Sequence, residues 1–283
     1  MATINDFSGH TPTWCPGCGN WGIGVAVKQV LVKQNLTPSS LMVVFGIGCS
    51  GNMNDFLNAY AMHALHGRAV STAVGIKLAR HDMPVLVIAG DGDCYGEGGN
   101  HFLHACRGNH DITVIVHDNC VYGLTTGQAA PTSLTGYRSK STPFGVLETP
   151  INPLTLAITQ GATFVAQAFA GDMKGMTELI QKGMDHKGFS LINILQPCVT
   201  FNKAQTFQYY LKKKFVIPDT HDTSNKNDAV KIASLQLEEQ YPVGILYQEK
   251  RRSYHEGVTQ LPHGSSLVKR EQIRLPEILE SFR

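Results

Sequence analysis

Four short runs of apolar residues, none interrupted by alternating polar residues, constrain the fold of this chain most. Continuous apolar runs of this kind are typical of parallel strands that are buried on both faces of a sheet. Helical periodicity lies between them, so strands and helices alternate along the chain. This alternation predicts an α/β fold with a doubly wound, mostly parallel sheet. The predicted strands are residues 41–45, 84–89, 112–117 and 190–195, and the predicted helices are residues 22–34, 68–80, 100–107 and 173–187.

The residues that follow these strands carry side chains suited to chemistry. Cys49 lies in a glycine-rich loop after the first strand, and Asp91 and Asp93 come directly after the second. Asn119 follows the third strand and Cys198 the fourth. In open α/β sheets, ligands bind at the carboxyl ends of the strands. The sequence therefore predicts that these side chains meet at one edge of the sheet.

Composition excludes several classes of protein. The chain has 283 residues, 42% of them apolar, which is enough for one large or two small folded domains. A net charge of +2 gives no basic footprint for nucleic acid, and no apolar run is long enough to span a membrane. The first residues are neither basic nor strongly apolar, so we expect no secretory signal and a cytoplasmic protein. Seven cysteines in such a compartment indicate metal, cluster or buried thiols rather than disulfides.

Charged residues are spread unevenly along the chain. Residues 1–210 contain 12 Lys and Arg and 12 Asp and Glu, whereas the much shorter segment 211–283 contains 12 and 10. So few charges in the first segment indicate a large buried core, burial against other subunits, or both. We therefore predict a binding domain at residues 1–210 and an extended C-terminal arm at 211–283 that carries short helices and packs on a partner subunit.

The loop around Asp91 is the first candidate binding element. Gly90-Asp91-Gly92-Asp93 follows a predicted strand, and glycine-rich residues 95–100 lead into a helix. Glycines let a phosphate group approach the backbone, and a helix N-terminus offers it unpaired N–H groups. Because a carboxylate repels phosphate, Asp91 is expected to bind Mg²⁺, which bridges to the phosphates. Asn119, 28 residues after Asp91, and the carbonyl of Val121 would complete the protein's magnesium ligands.

Four cysteines form a second candidate site. Cys15 and Cys18 form a C-x-x-C pair before the first helix, and Cys49 and Cys198 each follow a strand. Four thiolates suit either a [4Fe–4S] cluster or structural zinc. Structural zinc usually uses two close pairs, whereas this chain has one pair and two distant single cysteines. The spacing favours a cluster and leaves zinc open. The other cysteines, Cys94, Cys106 and Cys120, are expected to be buried packing residues.

Several motifs resemble the β subunit of 2-oxoacid:ferredoxin oxidoreductases. The spacing from Gly90-Asp91-Gly92 to Asn119 resembles the thiamine diphosphate fingerprint, and the motifs occur in the family's order from about residue 10 to residue 205. The resemblance implies thiamine diphosphate with Mg²⁺, a [4Fe–4S] cluster on the four cysteines, and coenzyme A as co-substrate. The motifs are residues 14–19 (WCPGCG), 46–51 (GIGCSG), 65–68 (LHGR), 119–128 (NCVYGLTTGQ), 131–132 (PT) and 196–200 (QPCVT).

The resemblance also implies roles for individual residues. His66 would lie near the reacting part of the cofactor and take a catalytic role. At Thr126 the chain departs from relatives of broad substrate range, which can carry a lysine there. The residues expected to surround the cofactor are Ile47, Gly48, Cys49, Ser50, His66, Gly67, Gly90, Gly92, Asp93, Tyr122, Gly123, Leu124 and Thr125.

The implied reaction converts a 2-oxoacid and coenzyme A to acyl-CoA and CO₂, with electrons passing through the cluster to ferredoxin. Thiamine enzymes need an activating glutamate, which this family places in a separate domain. We therefore expect an obligate α subunit, or its fused equivalent, that supplies the glutamate. The sequence favours a 2-oxoacid range that is broad or centred on 2-oxoglutarate.

Three alternatives remain open from sequence. The first is a pyruvate-specific member of the same family. The second is a non-redox thiamine diphosphate-dependent decarboxylase or synthase subunit, in which the cysteines are incidental. The third is an assembly subunit stapled by zinc, without cofactor chemistry.

Overall fold

The computed structural model describes residues 2–258 and the single positions 266, 268 and 280. Within them, eight strands form one sheet with the order β2-β1-β3-β4-β8-β7-β10-β9, and β5 and β6 form a separate two-stranded hairpin. The strands are β1 Met42–Phe45, β2 Tyr60–His63, β3 Val85–Gly90, β4 Thr113–Asp118, β5 Val121–Tyr122, β6 Gln128–Ala129, β7 Phe164–Phe169, β8 Ser190–Leu195, β9 Lys214–Val216 and β10 Tyr241–Gln248.

Helices cover both faces of this sheet. On one face, α1 and α6 pack together over apolar side chains such as Phe45 and Ile88, and on the other face α3, α4, α5 and α8 cover a second cluster that includes Val87 and Val114. The helices are α1 Asn20–Lys33, α2 Met53–Phe56, α3 Ala69–Ala79, α4 Gly99–Gly108, α5 Pro153–Thr159, α6 Met173–Asp185, α7 Phe207–Lys213, α8 Lys226–Ser234 and α9 Tyr254–Gly257. Helices on both faces of a mostly parallel sheet confirm the predicted doubly wound α/β fold.

The four predicted strands are β1, β3, β4 and β8, and they are neighbours in the sheet. All are parallel, with Phe45 opposite Ile88, Gly90 opposite His117, and Asp118 opposite Leu195. The carboxyl ends of these strands therefore lie along one edge. Each predicted helix is also present, with bounds that differ from the prediction by two residues or fewer at each end.

Four strands of the sheet were not among the predicted strands: β2 and β7 lie before residue 211, and β9 and β10 lie after it. β7 is fully buried and parallel to β8. β2 is an exposed edge strand parallel to β1. β10 lies after residue 211 and pairs antiparallel with β7, with a register shift between Ile245 and Tyr247.

The strand β10 lies beyond residue 210, where the sequence predicts a domain boundary. β10 is hydrogen-bonded into the main sheet and α8 packs against β10, so this part of the chain contacts the fold of residues 1–210. The division at residue 210 stays a prediction. The predicted short helices in this region are present as α7, α8 and α9. Most of residues 259–283 lie outside the described residues, so their packing on a partner stays a prediction. In the part of the chain that is described, no helix is long and apolar enough to cross a membrane.

Candidate functional site

A cavity opens at the carboxyl edge of β1, β3 and β4. It is built from the loops that follow these strands, the last of which includes the short strand β5, together with His66 from the loop after β2. Of the residues predicted to surround the cofactor or bind magnesium, all but Gly67 line it. The lining residues are Ile47, Gly48, Cys49, Ser50, His66, Gly90, Asp91, Gly92, Asp93, Asn119, Val121, Tyr122, Gly123, Leu124 and Thr125.

Asp91 is a buried carboxylate at the end of β3. Its Oδ2 atom accepts a hydrogen bond of 2.5 Å from the hydroxyl of Thr132. Burial and the nearby carboxylate of Asp118 raise the pKa of Asp91. Two carboxylates buried close together repel each other when both are ionised, and a divalent cation relieves that repulsion. The donor set at Asp91 therefore fits a hard cation such as Mg²⁺.

Asn119, which directly follows β4, is held in a defined orientation in this cavity. Its Oδ1 atom accepts a hydrogen bond from the backbone N–H of Val121 at 3.0 Å, and its Nδ2 atom donates to Gln196 at 3.0 Å. The amide oxygen of Asn119 and the carbonyl of Val121 are neutral oxygen donors of the type that magnesium accepts beside carboxylates.

Two glycines let the chain pack closely around the cavity. A Cβ atom on Gly92 would lie 2.4 Å from the ring of Tyr122, and the Tyr122 hydroxyl donates to the Gly92 carbonyl at 3.3 Å. Gly67 has a φ of +71°, and a Cβ there would meet the Glu97 backbone at 2.4 Å. Gly67 therefore supports the cavity from behind rather than lining it.

His66 faces the cavity and is hydrogen-bonded by Asp93. The His66 Nδ1 atom lies 2.7 Å from Asp93 Oδ1, and that oxygen also accepts hydrogen bonds from the N–H groups of Ile47 and Gly67. Burial raises the pKa of Asp93, and these hydrogen bonds, which lower the pKa, offset only part of that effect. Asp93 thus ties the loop after β1 to the loop that carries His66, and it fixes the orientation of the imidazole ring.

The four cysteines line a second cavity next to the first. Cys15 and Cys18 enter it from the loop before α1, Cys49 from the loop after β1, and Cys198 from the segment after β8. Trp14 forms another wall, and its indole N–H donates to the Cys49 carbonyl at 2.6 Å. The fold therefore brings cysteines that are far apart in the sequence together around one pocket.

Burial and neighbouring thiols both disfavour ionisation of Cys18 and Cys49. Burial raises the pKa of Cys18 to about 11, with smaller contributions from Cys198 and Cys15. Burial also raises the pKa of Cys49 to about 11, with smaller contributions from Cys18, Cys198 and Cys15. Thiols that disfavour each other's ionisation become thiolates when iron or zinc supplies the compensating positive charge.

Within residues 2–258, no group of three or more His, Cys, Asp or Glu side chains is placed to hold one metal ion. Four cysteine thiols that line one pocket are a donor set that suits either a four-iron cluster or structural zinc.

The two cavities share a wall. Cys49, Asn119, Gly123 and Leu124 line both of them. A Cβ built on Gly123 would lie 3.4 Å from the Cys49 sulfur, so the loop after β5 passes directly beside a predicted cluster ligand.

The remaining cysteines behave as expected from sequence: Cys94, Cys106 and Cys120 are all buried, and burial raises the pKa of each thiol. The sequence prediction did not assign roles to three residues that contact the predicted ligands. Thr132 and Gln196 lie in two of the family motifs, and Asp118 directly precedes Asn119 in the sequence. Their signal was position, next to a predicted ligand or inside a motif, rather than residue type.

Two models of protein families match this chain, and the first of them defines its class. Residues 46–194 match the family model described as the C-terminal, thiamine pyrophosphate-binding domain of thiamine pyrophosphate enzymes. This segment includes every cavity residue from the loops after β1, β3 and β4. Residues 198–263 match a second model, the C-terminal part of the pyruvate ferredoxin oxidoreductase β subunit.

Individual relatives then define the family. The chain is 42% identical over 255 residues to a 2-oxoacid:ferredoxin oxidoreductase subunit β of Saccharolobus solfataricus, covering 86% of this chain and 84% of that protein. It is 36% identical over 248 residues to the 2-oxoglutarate synthase subunit KorB of Archaeoglobus fulgidus, covering 88% and 89%. The chain belongs to the β-subunit family of 2-oxoacid:ferredoxin oxidoreductases.

A solved structure agrees over the whole chain. The 2-oxoglutarate:ferredoxin oxidoreductase from Magnetococcus marinus, solved with 2-oxoglutarate, coenzyme A and succinyl-CoA bound, superposes with a TM-score of 0.92 at 37% identity. The match covers 100% of this chain and 96% of that chain. The predicted family is thereby confirmed, and with it the prediction that the chain is a subunit of an oxidoreductase that works with a partner subunit.

Proposed function

We propose that this chain forms, with an α subunit, an enzyme that oxidatively decarboxylates a 2-oxoacid in a coenzyme A-dependent reaction and passes the electrons through a [4Fe–4S] cluster to ferredoxin. When bound, thiamine diphosphate supplies the reactive carbon and the electron sink for decarboxylation. The chain's own residues bind and orient the diphosphate, the magnesium ion and the cluster. We place the complex in the cytoplasm.

The proposed magnesium site rests on the buried carboxylate of Asp91. A cation beside Asp91 would offset both its burial and its repulsion by Asp118. Asn119 and the Val121 carbonyl add the neutral oxygens that an octahedral ion needs, and the cofactor's phosphates would supply more. The other cavity residues then surround the diphosphate, and His66 is placed to hold or donate a proton at its Nε2 atom, since Nδ1 faces Asp93.

One observation carries the redox part of the proposal: the four-cysteine cavity and the Asp91 cavity share the wall formed by Cys49, Asn119, Gly123 and Leu124. A cluster held by Cys15, Cys18, Cys49 and Cys198 would therefore lie directly beside the cofactor. A structural zinc ion would not have to lie beside the cofactor, whereas a group that accepts electrons from the cofactor would.

The partner is proposed to cover the open side of the cavity. Leu65, next to His66, is 79% exposed, and Leu124, in the shared wall, is 49% exposed. Large apolar side chains left in water at the mouth of a site are typical of surfaces that another subunit covers. The α subunit would supply the activating glutamate at this face, and coenzyme A and the 2-oxoacid would reach the cofactor between the subunits.

The proposed substrate range is broad or centred on 2-oxoglutarate. It is supported by the 2-oxoglutarate synthase relatives and by the Magnetococcus enzyme. The test is to measure coenzyme A-dependent reduction of ferredoxin by the α–β complex with pyruvate, 2-oxobutyrate and 2-oxoglutarate. A kcat/KM for pyruvate far above that for 2-oxoglutarate would show the pyruvate-specific alternative instead.

The first experiment is to measure iron, acid-labile sulfide and zinc on the α–β complex purified without oxygen, together with the visible spectrum and bound thiamine diphosphate. About four iron and four sulfide per β chain, with a broad brown absorption, support the proposal. Zinc in place of iron supports a zinc staple. Thiamine diphosphate without either metal supports a non-redox decarboxylase or synthase.

A further inference from the structure

Gln196 contacts one side chain from each of the two cavities. Its Oε1 atom accepts a hydrogen bond of 3.0 Å from Asn119 Nδ2, and its Nε2 atom donates to the Cys18 sulfur at 3.3 Å. The side chain is 1% exposed, so neither contact is exchanged for water. A single buried amide thus joins a proposed magnesium ligand to a proposed cluster ligand.

The direction of this chain of hydrogen bonds is set by the backbone. The N–H of Val121 can only donate, and it donates to Asn119 Oδ1. The Nδ2 group of Asn119 must then face Gln196, which has to present its oxygen. The NH₂ group of Gln196 is left to donate to Cys18 and to the Pro197 carbonyl at 2.9 Å. Turning the Gln196 amide around would place two NH₂ groups against each other.

The surrounding chain holds Gln196 in this place. It follows β8 directly, and its backbone N–H donates to the Asp118 carbonyl at 2.8 Å. Gly19, the residue after Cys18, packs against it so closely that a Cβ there would lie 2.8 Å from Gln196 Cγ. The N–H of Gly19 also donates to the Pro197 carbonyl at 3.4 Å. The Cys18 loop and the end of β8 are therefore fitted to each other around this amide.

We propose that Gln196 is a positioning residue for both sites, an inference that rests on the proposed function. By occupying Asn119 Nδ2, it keeps the Asn119 oxygen turned toward the magnesium position. By donating to Cys18, it stabilises negative charge on that sulfur, which favours the reduced cluster and raises its potential. The same side chain thus links the geometry of the cofactor's metal to the electron affinity of the cluster.

Two variants separate these effects in the α–β complex. Gln196→Met keeps a similar volume and removes both hydrogen bonds. Gln196→Glu, studied at alkaline pH where the introduced carboxyl is ionised, still accepts from Asn119 but places an oxygen where the donor to Cys18 was. The measurements are the Mg²⁺ concentration for half-maximal thiamine diphosphate binding and the midpoint potential of the cluster, followed by electron paramagnetic resonance.

We expect Gln196→Met to raise the half-maximal Mg²⁺ concentration about 10- to 100-fold and to shift the potential to more negative values. Gln196→Glu should bind Mg²⁺ close to the wild-type concentration and show the more negative potential of the two variants. This split between the two readouts would not arise from a general loss of packing.

The control is Asn152→Leu, which removes another buried amide, one that contacts Ala233 and the first turn of α5 instead. A wild-type potential and wild-type Mg²⁺ dependence in both Gln196 variants would overturn the inference while leaving the proposed function intact. The same shifts in Asn152→Leu would also overturn it. A wild-type complex without iron would refute the proposed redox function itself, and the role of Gln196 at the cluster with it.

Discussion

The Nδ1 atom of His66 lies 2.7 Å from the Oδ1 atom of Asp93, a carboxylate that is almost completely buried. That one oxygen also accepts the backbone N–H groups of Ile47 and Gly67, so it holds two loops and one imidazole ring together. Because Nδ1 is engaged, Nε2 is the nitrogen left to face the cavity. Asp93 is predicted from sequence to lie among the residues around the cofactor, and the structure shows that it also fixes the position of the loop that carries His66.

His66→Gln should lower kcat of the α–β complex about 100-fold or more if His66 moves or holds a proton in the reaction. Glutamine keeps a polar side chain but cannot exchange a proton. Thiamine diphosphate content should stay close to wild type, as the diphosphate and magnesium positions are formed by other residues. His104→Gln, on the exposed side of α4, is the matched control and should keep full activity. Equal activities of the two variants would remove His66 from the catalytic residues.

Asp91→Asn should abolish the Mg²⁺ dependence of thiamine diphosphate binding, because the variant loses the carboxylate that is proposed to bind the ion. Cofactor binding measured by tryptophan fluorescence against Mg²⁺ concentration tests this. Iron content should be unchanged, since the four cysteines lie on other loops. Wild-type cofactor binding in Asp91→Asn would refute the magnesium assignment.

The contribution of Asp91 and Asp118 to the stability of the cofactor-free protein should fall as pH rises above about 4. Burial raises the pKa of both carboxyls above the ordinary value of 3.8, so the folded state keeps protons that the unfolded state has already released. This contribution is lost as the two folded-state groups ionise. Because Asp91→Asn removes one of them, the stability of the variant relative to the wild type should rise with pH in thermal unfolding experiments. Adding Mg²⁺ and thiamine diphosphate should stabilise the wild type most at the higher pH, where the carboxylates are ionised.

Cys198→Ala should lose iron or retain it in a labile form, because it removes one of the four proposed cluster ligands from the shared pocket. Cys106→Ala removes a thiol that is fully buried in the helix α4 core and lies outside both cavities. It should keep the iron of the wild type. Iron analysis after anaerobic purification distinguishes the two, and equal iron in both variants would exclude Cys198 as a ligand.

Gly92→Ala should weaken thiamine diphosphate binding, because the added methyl group would lie 2.4 Å from the Tyr122 ring. The ring must move, and the loop after β5 that lines both cavities moves with it. Gly75→Ala, in the middle of α3, adds the same methyl group with no atom within 4 Å. It should stabilise the helix by up to about 1 kcal/mol and leave cofactor binding unchanged. Binding isotherms and thermal unfolding of both variants give the comparison.

The parts of the fold that were predictable are those with a strong local pattern. β1, β3, β4 and β8 are continuous apolar runs, and the position of the loops after them sufficed to predict Asp91, Asn119, Cys49 and Cys198 at one edge. β7 has the buried Gln167 in its centre, whose amide is satisfied by Asn193 and by the Pro242 carbonyl. Such a polar interruption is tolerable only because of partners that are distant in sequence.

The strand β10 could not be predicted from the sequence for a different reason. Its sequence YPVGILYQ contains Pro242 and Gly244, which are both rare in strands. The strand tolerates them next to the short outer strand β9, near the edge of the sheet. The roles of Thr132 and Gln196 were equally beyond local reasoning, since Thr132 bonds to Asp91 and Gln196 bonds to Asn119 and Cys18 across 41, 77 and 178 residues of chain.

The antiparallel pairing of β10 with β7 has a consequence for how the chain is made. β7 ends at Phe169 and β10 begins at Tyr241, so a ribosome must add more than seventy residues before β7 gains its second neighbour. Until then, the apolar strand FVAQAF presents an open row of backbone donors and acceptors to any other chain nearby. The edge of β7 is therefore covered by β10 only late in synthesis, and this pairing prevents self-association through that edge. Chains truncated before residue 241 should aggregate during synthesis, with or without added cofactors.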